Sequence, residues 1–335
     1  MKIKQGGAKE MKEYNDVSPY FHLFEIKDGI YVAVAKKGKG ALGNAGFVDL
    51  GDSTIVFDTF LTPQAARDLR KAAELYTNHK VSYVVNSHYH FDHVLGNQIF
   101  SDVPIISTQE TRRLIQKEMD FSDLEQIRTE IQQSLTELQA EIDKQNTTLM
   151  IESLSNQMAE VQMLYNTIGD IQPILPTLTF EKSLEISGSK RSVELLCYGR
   201  GHTNSDVFLY LPEEKTVFAG DLVLNNTHPW IGHGHPQQWK IILNQISSLK
   251  ADIIVPGHGI PGTMQNIASM QQYITDIEAI VNEALTTDQN TEELKQLEIP
   301  DLYKEWAGSH IFYNNIISLL SSKKEEISKK EEKMI

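Results

Sequence analysis

Residues 88 to 93 read HYHFDH, three histidines and an aspartate in six positions. Neutral imidazole and carboxylate both bind zinc at about 2.0 to 2.2 Å, and a catalytic zinc usually takes three protein ligands and leaves a position for water. Positions 88, 90 and 92 alternate, so an extended or turning backbone aims those side chains to one side while His93 projects elsewhere. One short loop can therefore serve two metal sites, and each half is short of ligands. Candidates for the missing ones close later apolar runs: His202 in GRGHTNSD, Asp221 in FAGDLVL and His258 in VPGHG, each directly preceded by glycine. Glycine there lets the chain turn sharply and leaves room for the ligand side chain. Three separate runs ending in a ligand-capable residue argue against chance assembly.

Strands must carry these loops. Short apolar runs punctuated by Gly, Asp or Pro stand at 29–35 (GIYVAVA), 45–50 (AGFVDL), 53–59 (STIVFDT) and 80–86 (KVSYVVN). Between the last two, PQAARDLRKAAELYTNH begins on Pro63 and is rich in Ala and Leu, which predicts a helix and one βαβ unit with HYHFDH at its carboxyl end. From Ile105 to Ile168 there is neither Gly nor Pro. Leu124, Ile127, Ile131, Leu135, Leu138 and Ile142 step by three or four, as do Met150, Leu154, Met158, Val161, Tyr165 and Ile168, which predicts a helical hairpin. Strand signals return in LTFEKSLEI, SVELLCYG, DVFLYLP, TVFAGDLVL and DIIVPGHG. The chain after Thr263 is mostly helical, with a charged end, KKEEISKKEEKMI.

The whole chain narrows the function classes. Its 335 residues are 40% hydrophobic and 23% charged, with no apolar run long enough to suggest a membrane span. The N-terminal MKIKQGGAKEMKEYNDVSPYF offers charges and glycines where a secretory signal needs an apolar stretch, so a cytoplasmic protein is expected. A single cysteine, Cys197, excludes an intrachain disulfide and a thiolate-rich zinc site. It lies in a strand-like run and is expected in the core. A formal charge of −14 disfavours nucleic acid, whose phosphates are bound mainly by Lys and Arg.

HYHFDH, GHT, GD and PGHG, in this order, resemble the metallo-β-lactamase superfamily over roughly residues 25 to 262. The resemblance implies an α/β fold, a four-layer αββα sandwich with a binuclear metal site at one edge. The chain would be one such domain over 1–335, with 108–172 as a helical-hairpin insertion and 263–335 as a C-terminal helical segment and tail. His88, His90 and His202 would hold one metal, Asp92, His93 and His258 the other, and Asp221 would bridge both. Two divalent ions are implied, zinc first, with iron or manganese as alternatives. Asp58 takes the place of a supporting acid that hydrogen-bonds a ligand or the loop backbone. His228, His233 and His235 line the substrate cleft or form a histidine-rich surface loop, and Trp230 and Trp239 are expected to pack.

The expected function is metal-dependent hydrolysis, a dimetal-bound hydroxide attacking an ester, thioester, lactone or amide carbonyl, with Asp92 and Asp221 as the catalytic carboxylates. Aspartate at 221 resembles glyoxalase II, and the overall look resembles SoxH-like or quinoprotein-relay zinc hydrolases. Two other classes stand beside it: an iron persulfide dioxygenase-like oxidoreductase, and a metal-stabilised interaction protein acting through the hairpin. The expected partner is a small-molecule substrate, with neither nucleic acid nor membrane, and the hairpin's apolar stripes leave a homodimer open.

Overall fold

Strand pairing sorts these runs into two sheets that pack face to face around a shared apolar core. The computed structural model describes residues 11–287 and 289–332; the first ten residues of the stretch read for a secretory signal and the last three of the charged end lie outside them. One sheet runs β1 (Lys12–Tyr14), β2 (Phe21–Lys27), β3 (Ile30–Ala35), β4 (Ala45–Asp49), β5 (Thr54–Phe57), β6 (Val81–Val85), β7 (Ile105–Thr108) and β8 (Leu178–Phe180), side by side in chain order. The second contains β9 (Ser183–Ser187), β10 (Ser192–Cys197), β11 (Val207–Leu211), β12 (Thr216–Phe218) and β13 (Ile253–Val255), also side by side.

In β5, Ile55 and Phe57 share the core between the sheets with Val193 and Leu195 of β10 and Phe218 of β12. Val56, on the opposite face, packs in a second core with Ala65, Leu69 and Ala73 of α1 (Pro63–Thr77). A third core covers the outer face of the second sheet, where Phe208 and Val217 meet α6 (Pro236–Ser248), α7 (Met264–Thr287) and α9 (Ser309–Glu332). A short helix, α8 (Thr291–Leu294), joins the last two. The layers are therefore α, β, β, α. Helix α1 starts where its sequence says it should: Thr62 caps the Ala65 amide, Pro63 fills the first turn, and Asn78 ends it in the left-handed region at φ 59°. Among the described residues no helix is long and apolar enough to cross a membrane.

Strand direction collects the candidate ligands at one edge. β5, β6 and β7 are mutually parallel, so the residues after Phe57 and Val85 emerge together. In the second sheet β12 and β13 are parallel, with Phe218 opposite Val255, and Asp221 and His258 each follow three residues later. Cys197, ending β10, pairs with Val207, which starts β11, so the loop holding His202 leaves from the same edge. The Val207 amide donates to the Ser87 carbonyl at 2.7 Å and ties the sheets together there.

Residues 108–172 hold three α-helices. α3 (Gln109–Glu118) packs on β7, whose own strand lies inside the run that reads as helical. The hairpin itself is α4 (Leu124–Ile142) with α5 (Thr148–Thr167). The first helix of this pair is largely exposed and buries Leu138, while α5 is wedged against α9 and against the β3–β4 loop. Gly38 and Gly40 of that loop take φ of 67° and 94°, and a Cβ on Gly38 would lie 3.0 Å from Ala159 Cβ. Glu160, 5% exposed, accepts the Gly40 amide at 2.9 Å.

Burial pushes the Glu160 carboxyl up to about 7, against the opposing pull of the Gly40, Gly38 and Lys39 amides. The folded chain therefore holds more protons than the unfolded chain between about pH 4.5 and 7, and this group's contribution to stability falls as pH rises through that window. Glu160→Gln removes the titration. Its stability relative to the parent should climb by up to roughly 3 kcal/mol between pH 4.5 and 8, read by urea unfolding at both ends. A difference that does not change with pH would show that Glu160 does not titrate there.

Candidate metal centre

The HYHFDH loop does not stay extended. It turns after β6 and enters a single helical turn, α2 (Phe91–Val94), with His90 as its N-cap. That turn brings His93 back toward the other candidate ligands instead of sending it elsewhere. His88, His90, His202 and Asp221 offer ligand atoms within 4.8 Å of one another, and Asp92, His93 and His258 form a second such group. Asp221 stands between them: Oδ2 lies 3.4 Å from His202 Nε2 and from His258 Nε2, and Oδ1 lies 3.2 Å from His93 Nε2. Asp92 Oδ2 lies 3.2 Å from His258 Nε2 and 3.4 Å from His93 Nε2.

Hydrogen bonds behind the cluster decide which ring nitrogen carries a proton. Asp58, at φ 62° directly after β5, accepts the Ser87 amide at 2.7 Å, the Ser87 hydroxyl at 2.8 Å and His93 Nδ1–H at 2.8 Å. Since the Ser87 proton goes to Asp58, the same hydroxyl oxygen accepts from His88 Nδ1–H at 2.9 Å. One carboxylate thus holds a proton on Nδ1 of both rings and makes Nε2 of His88 and of His93 the nitrogen that a metal would take. His90 is met from the other side, where its Nε2 lies 2.9 Å from His233 Nδ1, which can accept a proton held there. Its Nδ1 then faces His202 Nε2 at 3.0 Å.

This arrangement suits a cation. His88 Nε2 is buried without a hydrogen-bond partner, a cost of about 1 to 3 kcal/mol that a bound cation would restore, and His93 Nε2 faces Asp221 Oδ1 at 3.2 Å as a pair that can exchange its proton for a cation. Burial holds His88 and His90 well below the usual imidazole value and lowers His202 to about 4, so these rings are neutral and ready to ligate. Burial also opposes charge on His258 and His93, but Asp221 and Asp92 outweigh it and raise His258 to about 10 and His93 well above its usual value. Without metal, protons on these two rings balance the buried carboxylates; a divalent ion would take their place.

Other residues fall into supporting positions. Asp206, buried, accepts the Gly201 amide and the Thr203 amide and hydroxyl, shaping the turn that presents His202. Asn44 donates to the Pro256 and Gly259 carbonyls and fixes the loop carrying His258. Trp239 packs as expected, its Nε1–H bonded to the Leu222 carbonyl and its ring edge-on to His202. Of the three histidines after Asp221, His228 lines the cavity beside the cluster and bonds Tyr273, His233 contacts His90 and Tyr89, and His235 bonds Asn204. Trp230 lines the cavity. Cys197, expected in the core, is only partly buried at the end of β10, 3.6 Å from the Ser205 hydroxyl. Ser87 and Glu160 carry no sequence signal of their own.

Gly257 shows how tightly the edge is built, since a Cβ there would lie 1.9 Å from Asp221 Oδ1. Gly257→Ala should therefore displace Asp221 and reduce bound metal at least as much as removing a supporting partner does, roughly 10- to 100-fold in affinity. Competition with a chelator measures it, and parental affinity would show that the carboxylate is not needed where it stands.

A family model described as the metallo-beta-lactamase superfamily matches residues 38–258, and the chain belongs to that superfamily. Among solved structures, the metallo-beta-lactamase from Pontibacter korlensis aligns with a TM-score of 0.52 and 15% identity, covering 79% of this chain and 99% of that one. The DIM-1 metallo-beta-lactamase aligns with a TM-score of 0.55 and 16% identity, over 77% and 98% of the two chains. At these identities the likeness is one of fold. The αββα sandwich is the metallo-β-lactamase fold, and the superfamily's metal ions match a site whose His and Asp side chains can bind them.

Proposed function

We propose that this protein is a metal-dependent hydrolase of a carbonyl compound, an ester, thioester, lactone or amide, with a ligand set like that of glyoxalase II. The observation that carries the reading is seven convergent His and Asp side chains, with His88 and His93 held by hydrogen bonds that point Nε2 at the cluster, beside a cavity of about 470 Å³. His88, His90 and His202 would hold one ion, Asp92, His93 and His258 the other, with Asp221 shared. The donors are nitrogen and oxygen, which suit zinc. Two bound divalent ions would supply Lewis acidity, making water a nucleophile near neutral pH and polarising the carbonyl.

The chain's own side chains do the rest. Asp221 fixes the spacing of the two groups, and Asp92, which lines the cavity with its Oδ2 near His258, is placed to hold or pass the proton of the attacking water. Leu224 and Trp230 line the approach and limit bulk water around the reacting carbonyl. Zinc-loaded protein should contain two zinc ions per chain and turn over at least one member of a panel of esters, thioesters, lactones and amides. One iron per chain with oxygen consumption on a persulfide, or two zincs with no hydrolysis across the panel, would overturn the reading.

A further inference from the structure

Helix α5 walls part of the cavity beside the metal cluster. Ser153, Asn156, Gln157, Glu160 and Val161 line that wall, joined by His310 and Ile311 from the start of α9. The two helices are stitched together by Ser153, whose hydroxyl lies 2.7 Å from His310 Nδ1. On this wall sits Glu160, nine-tenths and more removed from solvent. Its Oε2 accepts the Gly40 amide and the Gly38 and Lys39 amides also favour its charge, but Oε1 is buried with no hydrogen-bond partner. Among the described residues no Lys, Arg or His pairs with it; Lys37, the cation on the cavity rim, turns to exposed Glu152 at 3.5 Å. A buried carboxylate with a vacant acceptor costs free energy in the free protein, and a ligand carrying a donor or a positive charge recovers it.

The geometry points to a bipolar substrate site: we infer that the cavity binds a carbonyl compound whose apolar body carries an ammonium group at the end remote from the scissile bond, received by Glu160 Oε1. The inference rests on the hydrolase reading for the scissile end alone. Positive metal ions at one end would attract the carbonyl oxygen, or the carboxylate of the product. At Glu160 the ammonium would draw the carboxyl into its ionised form and pair with it, and Leu42, Val161, Leu224 and Ile311, which line the same cavity, favour a hydrocarbon chain. A net charge of −14 works in the same direction against substrates with a distal anion. The role of α5 in this arrangement is to supply the group that reads the substrate, and the clamp of Gly38 and Gly40 against α5 holds that group in place.

The test is calorimetric binding of product-like carboxylates to the zinc-loaded protein: ω-amino alkanoates of four to eight carbons, each paired with the plain alkanoate of the same length. At one chain length the amino acid should bind at least about tenfold more tightly than its plain partner, as expected for a buried charge-assisted hydrogen bond. Glu160→Gln should erase that advantage while leaving the plain alkanoate unchanged. Ile311→Trp, which fills the apolar middle, should weaken both ligands. Equal affinity of amino and plain acids at every length, an advantage that survives Glu160→Gln, or full binding to Ile311→Trp would each overturn the inference. Ester turnover without any amino preference would sink it and leave the hydrolase standing. Glu160-dependent binding without turnover of any ester would sink the hydrolase reading and leave this site standing.

Discussion

Asp221→Ala should strip tightly held metal from both ligand groups and remove turnover with it, while the chain still folds. The loss should exceed the roughly 10- to 100-fold in metal affinity that removing a supporting partner costs, because Asp221 is the carboxylate that approaches nitrogens of both groups. Asp92 reaches only His93 and His258, so it cannot substitute for it. The fold survives because the backbone of the turn Gly220–Leu222 is held independently, by the Gly257 amide on the Gly220 carbonyl at 2.8 Å and by the β12–β13 pairing. Electrostatics work the same way. Burial opposes the Asp221 charge, yet His258 and His93 hold the carboxyl well below its usual range, so with it removed one of the two rings can lose its proton while the other still balances Asp92. Metal content by elemental analysis, turnover and a thermal melt separate the cases. A variant with full metal and parental turnover would refute the shared role, and one that fails to fold would make Asp221 structural.

The convergence of these side chains is legible in the sequence because its signals are local. HYHFDH concentrates ligand-capable residues within one loop, and GHT, GD and PGHG each sit where an apolar run stops. β3 to β6 and α1 read correctly for a similar reason: Gly, Asp and Pro63 punctuate runs whose apolar character or helical spacing is complete within a few residues. β7 is hidden because IIST is too short to separate from the helical run that follows it, with no Gly or Pro between them. LTFEKSLEI reads as one strand, yet the chain changes sheets within it. β8 pairs in parallel with β7, and β9 pairs antiparallel with β10. What cannot be read are roles defined by distant partners. Ser87 matters because of Asp58, 29 positions away, and Glu160 because of Gly40, 120 positions away. An ordinary serine and an ordinary helical glutamate acquire those roles only when the sheets and the helical hairpin close on them.

Asp58→Asn should cost metal affinity by about 10- to 100-fold although Asp58 touches no metal-facing nitrogen, the effect expected of a partner that orients ligands. Three donors converge on its two oxygens: the Ser87 amide on Oδ1, and the Ser87 hydroxyl and His93 Nδ1–H on Oδ2. Burial pushes this carboxyl up, and His93 and Ser87 pull against it. An asparagine keeps the shape and tolerates φ 62°, but one of its two ends becomes a donor facing donors. If the amide nitrogen faces His93, the ring must accept at Nδ1 and carry its proton on Nε2, where that proton points at the metal position. With the nitrogen on the other side it opposes the Ser87 amide and distorts the turn that carries His88. Either outcome damages a ligand of each group, since Ser87 transmits the state of Asp58 to His88 Nδ1. Chelator competition should show weaker binding for both ions, and nitrogen-15 spectra of the zinc-loaded parent should show His88 and His93 protonated at Nδ1. Asp58→Asn binding both ions as tightly as the parent would mean that the ring tautomers are set by the metal alone and that the relay through Ser87 is a bystander.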